Sequence, residues 1–171
     1  MTELVTRGDW SSRDKLSAVV VDPPGYSVNS DIEHERKLAI VDLVEESSFR
    51  LVDRDDGPYI LALTVENSRL ALHISNENGQ PIVSHFLSLT PLRKAMKDYQ
   101  VICDVHRSSV YRGQPSHQLE AIDMARRSVH NEASELLMQR LSAKVIVDFE
   151  TARRLITLIS VSFLMSSLPS T

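Results

Sequence analysis

The sequence predicts an α+β fold, a three- to four-stranded antiparallel meander packed against about four helices, on three observations. Residues 59–89 hold alternating apolar runs separated by turn residues, the period of half-buried strands. From Thr90 the apolar spacing lengthens to that of helices and stays there. The 171 residues, 42% apolar and 25% charged, suit a single core. One domain is expected over 14–166, with a mobile N-terminal tail over 1–13 and a C-terminal tail over 167–171.

Each element follows from local chemistry. Leu16–Val21 is a short β-branched run closed by Asp22-Pro23-Pro24-Gly25, a strand and its breaker. Ser30 opens a helix, with Glu33 in capping-box register and an apolar stripe of Ile32, Ala39, Ile40, Leu43 and Val44, ending around Ser47. Three strand segments follow, Tyr59–Glu66, Arg69–Ser75 and Ile82–Leu89. They are joined by the tight Asn67-Ser68 link and by Asn78-Gly79, a strong hairpin signal because both of its residues tolerate positive φ. Leu61, Leu63 and Val65, then Leu70, Leu72 and Ile74, alternate with less apolar neighbours, which argues for an antiparallel rather than a parallel sheet.

Thr90-Pro91 reads as N-cap and first helical position of the next element. Gly113-Gln114-Pro115 breaks it, and Ser116 caps a long helix running to about Leu141. Val145–Phe149 has the composition of an edge strand. Asp148 can cap a last helix extending to about Met165. That helix is apolar nearly all round, with Leu155, Ile156, Ile159 and Phe163 on one side and Leu158, Val161 and Met165 on the other. Such a helix either runs through the core or buries its second face, over 150–165, against another copy of the chain.

Several functional classes are excluded. The five glycines are dispersed, so no phosphate-cradling loop of clustered glycines exists. The one cysteine, Cys103, rules out an intramolecular disulfide framework and multi-cysteine metal sites. A net charge of −4 gives no attraction to nucleic acid, and Arg93, Lys94 and Lys97 on one helix face do not offset it. Leu155–Leu168 is too short and too rich in hydroxyl residues for a membrane span, and Met1–Lys15 has no apolar leader core. No cofactor, metal, membrane or nucleic-acid partner is expected, and a cytoplasmic location is.

The chemistry that remains lies on the 116–141 helix. Asp123, Arg127, His130 and Ser134 recur at steps of four, three and four along one flank, as a solvated face or as the wall of an anion site. Arg126 and Arg140 fall in the apolar sector, where a guanidinium must reach the rim or meet a carboxylate. Asp42, Glu45, Glu46 and Asp148 are the partners considered. The candidate ligand set is therefore Asp123, Arg126, Arg127, His130 and Glu132. Cys103 and His106, three apart on the preceding helix, make either a thiolate couple or two core positions. The six histidines show no H-E-x-x-H spacing and no i,i+4 pair, and there is no G-x-S-x-G.

A run of strings has a familiar order: His34-Glu35-Arg36, Glu45-Glu46-x-Ser48-Phe49, Gly57-Pro58-Tyr59, Glu120-Ala121-Ile122-Asp123-Met124 and His130-Asn131-Glu132. Ser134-Glu135-Leu136-Leu137, Val147-Asp148-Phe149 and Thr151-Ala152-Arg153-Arg154-Leu155 continue it. From about Leu16 to Phe163 the chain resembles uncharacterised protein family 0262 of alphaproteobacteria. The resemblance implies a small bacterial cytosolic protein and supplies no catalytic role. Two functional readings stand. The leading one is a non-enzymatic cytosolic protein acting through self-association or a protein partner. The other is a small anionic-ligand-binding protein or enzyme with its site on the 116–141 helix.

Overall fold

In the computed structural model, residues 9–22 and 30–166 are described. The elements run β1 (Leu16–Asp22), α1 (Ser30–Glu45), β2 (Phe49–Leu51), β3 (Tyr59–Glu66), β4 (Arg69–Asn76) and β5 (Pro81–Ser88). A 3-10 turn (Thr90–Leu92) leads into α2 (Arg93–Tyr111), followed by α3 (Ser116–Leu141), β6 (Val145–Val147) and α4 (Phe149–Ser166). The α+β class holds, with four helices against a four-stranded sheet of order β1-β3-β4-β5. The Pro23-Pro24-Gly25 breaker and the 167–171 tail lie outside the described residues.

The meander β3-β4-β5 is antiparallel, as its turns predict. Asn67 and Ser68 both take positive φ (53° and 59°), which matches the twist of a two-residue hairpin. In the next turn Gly79 sits at φ 83°, and the Asn76 side-chain oxygen accepts from the backbone N–H of Asn78 and Gln80. The expectation of a wholly antiparallel sheet is corrected by β1. It pairs parallel to β3, with Val19 opposite Leu61 and Val21 opposite Leu63. The reason is topological: α1 stands between the two strands in sequence, and a helical crossover brings the chain back in the same direction.

The apolar run at Val145–Val147 does form a strand, but not at the sheet's edge. It pairs with β2 in a separate two-stranded ribbon, Phe49 opposite Val147 and Leu51 opposite Val145. Two capping assignments also shift. The chain enters α2 through the 3-10 turn, so Leu92 is the N-cap rather than Thr90, and Pro91 lies in the tighter turn. Pro115, not Ser116, occupies the N-cap of α3. Helix α1 ends at Glu45. Of its stripe only Ala39 and Leu43 are buried, while Val44 is exposed.

The core lies between the sheet and the helices, with Leu43, Tyr59, Leu61, Leu70, Leu72, Leu92, Leu137 and Ile156 all at 1% exposure or less. Phe49 meets Tyr59 edge-on at 5.9 Å, joining the small ribbon to the large sheet. Residues 9–15 make defined contacts with this corner. Arg50 lies over the Trp10 ring and donates to the Asp9 carbonyl, and Phe49 N–H donates to the Asp14 carbonyl.

Helix α4 is the central element of the helical layer. Thr151, Ala152, Leu155, Ile156, Leu158, Ile159 and Ser160 are all buried, and the helix packs against α1, α3 and β3. Its apolar excess over 149–162 is therefore covered within one chain. Over these residues the helix is a core helix; Phe163 and Met165, which belong to the stretch considered for contact with another copy, lie outside the described side chains. The Asp148 cap is in place, its carboxylate accepting from Thr151 N–H at 2.9 Å.

Candidate functional site

Where α1, α3 and α4 converge above Tyr99 of α2, a cleft of about 480 Å³ opens to solvent. Helical spacing puts neighbouring residues of each helix on its wall: Glu35, Leu38, Ala39 and Asp42 from α1, Arg126, Arg127 and His130 from α3, and Arg153, Arg154 and Thr157 from α4. Four guanidinium groups thus face two carboxylates.

The guanidinium groups are held in place by acids. Arg126 donates to Asp123 one turn back at 2.6 Å, and Arg127 reaches the other oxygen of the same carboxylate at 3.0 Å. Arg153 lies 3.5 Å from Glu150, and Arg154 bridges helices to Asp42 at 3.3 Å. The Arg126 hydrogen bond holds the Asp123 carboxyl below its ordinary range. Burial works to lower the pKa of Arg126, but the hydrogen bond and charge of Asp123 outweigh it and the group is raised. Arg126 and Arg153 each keep a buried Nε–H with no acceptor among the described residues.

His130 forms the floor. Its Nε2 lies 2.9 Å from the carbonyl of Arg153, and only an N–H can pair with that oxygen, so the proton is on Nε2. The Thr157 hydroxyl donates to the same carbonyl at 3.3 Å. The imidazole stacks on Tyr99 at 4.9 Å. Burial, with the charges of Arg153, Arg126 and Arg154 nearby, pulls its pKa down to about 4 against the hydrogen bond's opposing effect, so it is neutral at pH 7.

The predicted residues divide. Asp123, Arg126, Arg127 and His130 do come together, though the partner of Arg126 is Asp123 rather than any of the four acids considered, and Asp42 serves Arg154 instead. Glu132 is not brought to the cleft. It is exposed on the outer side of α3, beside Asn131 and Glu135. Ser134 is buried and donates to the His130 carbonyl at 2.7 Å, and Arg140 is exposed rather than in the apolar sector. Sequence spacing missed Glu35, Asp42, Tyr99, Arg153, Arg154 and Thr157. The one available signal was the Arg153-Arg154 pair inside an otherwise apolar helix.

Cys103 is not a thiolate. Burial raises its pKa, and its polar neighbour is Tyr99 one turn back rather than His106. Among the described residues no group of three or more His, Cys, Asp or Glu side chains has the arrangement of a metal site. No described helix is long and apolar enough to cross a membrane.

The sequence model of the uncharacterised protein family UPF0262 matches residues 13–164. The chain belongs to UPF0262. It is 49% identical over 152 residues to the UPF0262 protein of Chelativorans sp. (strain BNC1), covering 88% of this chain and 94% of that one. To the UPF0262 protein mll6455 of Mesorhizobium japonicum it is 47% identical over 155 residues, 90% and 96% of the two chains. To the UPF0262 protein of Xanthobacter autotrophicus it is 49% identical over 147 residues, 85% and 89%. These names state no activity, substrate or partner for UPF0262. No solved structure matches the chain. The matched region takes in all three helices that wall the cleft.

Proposed function

We propose that this UPF0262 protein binds a small anionic ligand in the cleft between α1, α3 and α4. The observation that carries the reading is the convergence of four guanidinium groups, Arg126 and Arg127 of α3 and Arg153 and Arg154 of α4, on the wall of one solvent-open cleft. A guanidinium donates charge-assisted, often paired hydrogen bonds to a carboxylate or phosphate, about twice as strong as neutral ones. Because the arginines already have acids beside them, what the cleft offers is their remaining N–H donors rather than surplus charge. The reading assigns binding and no reaction: Cys103 is held as a thiol and His130 is tied to the α4 backbone. A lone buried thiol supports a cytosolic setting.

Calorimetry and thermal shift with inorganic phosphate, succinate and acetate test it. Arg126→Gln and Arg153→Gln should each weaken binding by about tenfold or more. No response to any of these at about 10 mM, enough to fill a millimolar site, would sink the reading.

A second reading, association between copies of the chain, is favoured by the outward face of the sheet. There Val20, Ala62, His73 and Ser84 lie in one row across the four strands, with Ile60, Ala71 and Phe86 in the flanking rows. None of these seven carries a fixed charge and Val20 and Phe86 are each 52% exposed, while Arg69 borders the patch with its guanidinium over the Phe86 ring at 5.4 Å. A solvated antiparallel face ordinarily alternates to polar residues. Light scattering at micromolar protein should find a dimer that Phe86→Asp dissociates, and a monomeric wild type refutes it.

A further inference from the structure

The ion pairs of the cleft leave one carboxylate over. Of the two acids on its wall, Asp42 is taken by Arg154 at 3.3 Å. Glu35, two helical turns earlier on α1 and half-buried, has no hydrogen bond or ion pair among the described residues. It is not remote from the cationic wall. Glu35 and Arg126 line the same cleft from different helices, and the charges of both act on Tyr99 and on Cys103. Even so, Arg126 donates to Asp123 and not to Glu35. The cleft wall therefore carries one unpaired carboxylate together with the arginines of α3 and α4, beside the apolar Leu38 and Ala39.

A ligand that is only an anion leaves Glu35 facing it, and like charges in a half-buried cleft repel. We propose that the ligand is a small zwitterion of amino-acid type, its anionic group on the guanidinium groups of Arg126 and Arg153 and its protonated amine on Glu35. This rests on the anion-site reading and adds the cationic half. Glu35 is then a specificity-determining residue, which weakens by about tenfold, without abolishing, the binding of anions that lack an adjacent ammonium group.

The test is calorimetry on the full chain with the free L-amino acids, each against its N-acetyl derivative, which keeps the carboxylate and removes the amine charge. Wild type should prefer the free form of at least one amino acid by about tenfold or more, the scale of a charge-assisted contact. Glu35→Gln should abolish that preference while still binding the N-acetyl compound at least as well as wild type does. An unchanged unfolding midpoint shows that the variant folds. Equal affinity for free and acetylated forms, or a preference that survives Glu35→Gln, overturns the zwitterion and leaves the anion site standing. No binding by any compound, with phosphate, succinate and acetate also inert, overturns both.

Discussion

The buried imidazole of His130 makes stability fall on mild acidification. Its pKa is about 4 in the folded chain against an ordinary 6.5, so between those values the unfolded chain binds more protons. Stability therefore rises with pH through that window, is fully present above pH 6.5, and is lost progressively down to about pH 4. Linkage puts the loss at about 1 kcal/mol by pH 6 and about 2 kcal/mol by pH 5, with a ceiling of about 3 kcal/mol. The groups that face the ring fit this direction. Tyr99 is stacked on it and Arg126, Arg153 and Arg154 are close by, so burial and three cations outweigh the one contact that favours the imidazolium, the Arg153 carbonyl. The perturbation is His130→Gln, whose amide can still donate to the Arg153 carbonyl but does not titrate. Urea unfolding of both proteins from pH 5 to 8 gives the difference. His85 is also lowered by burial and contributes with the same sign in both, so it cancels in the subtraction. The reasoning fails if the two proteins show the same slope below pH 6.5, or if the His130 ring resonance titrates near its ordinary pKa.

Four further outcomes are expected. Thr151→Val removes the hydroxyl that accepts from Ser48 N–H at 2.9 Å and should cost about 1–3 kcal/mol. Hydrogen exchange at Ser48 should speed up in that variant and not in Thr151→Ser, and equal exchange in both would refute the assignment. Gly57→Ala drives a Cβ into the Arg13 carbonyl and to 3.0 Å from the Tyr59 ring. It should lower the unfolding midpoint by several degrees, at about 1–3 kcal/mol of overpacking, whereas an unchanged midpoint would show that the Arg13 segment gives way freely. Cys103, buried and held as a thiol, should react with a disulfide reagent at pH 8 only in step with urea unfolding, and prompt labelling of the folded protein would contradict its burial. Asp123→Asn, which removes no group from the cleft wall, should weaken anion binding by about tenfold by freeing two arginines at once, read by calorimetry; unchanged affinity would show that Asp123 does not organise them.

What could be read from the sequence was whatever a single element decides for itself. The β3-β4-β5 meander was legible because Asn67-Ser68 and Asn78-Gly79 fix each hairpin within a few residues. The bounds of α3 were legible because Gly113-Gln114-Pro115 forbids its extension. The three residues of β2 carry no period at all, and the parallel direction of β1 depends on how α1 returns the chain. The site divides along the same line. Asp123, Arg126, Arg127 and His130 share a flank by helical spacing alone. Glu132 is two residues from His130 in sequence, yet it lies about 200° round the helix from it. Glu35, Arg153 and Arg154 enter only because three particular helices meet, which no single-helix pattern encodes.

That meeting also explains why an apolar core helix tolerates two consecutive arginines. Helix α4 is buried at 151, 152, 155, 156, 158, 159 and 160, so Arg153 and Arg154 occupy the strip where burial is incomplete. A purely structural need there would be met by any polar side chain able to reach water, and Lys or Gln would leave no buried donor unpaired. Instead both arginines have an acid beside them, Glu150 within the helix and Asp42 across from α1, as Asp123 serves the pair on α3. Asp123 and Glu150 stand outside the cleft wall, so they orient the guanidinium groups without filling the space in front of them. Groups fixed in this way lose little side-chain freedom when an anion arrives, which favours binding over mere solvation of the charges. The four guanidinium groups held in this way meet at the cleft, which is where an anionic acceptor fits.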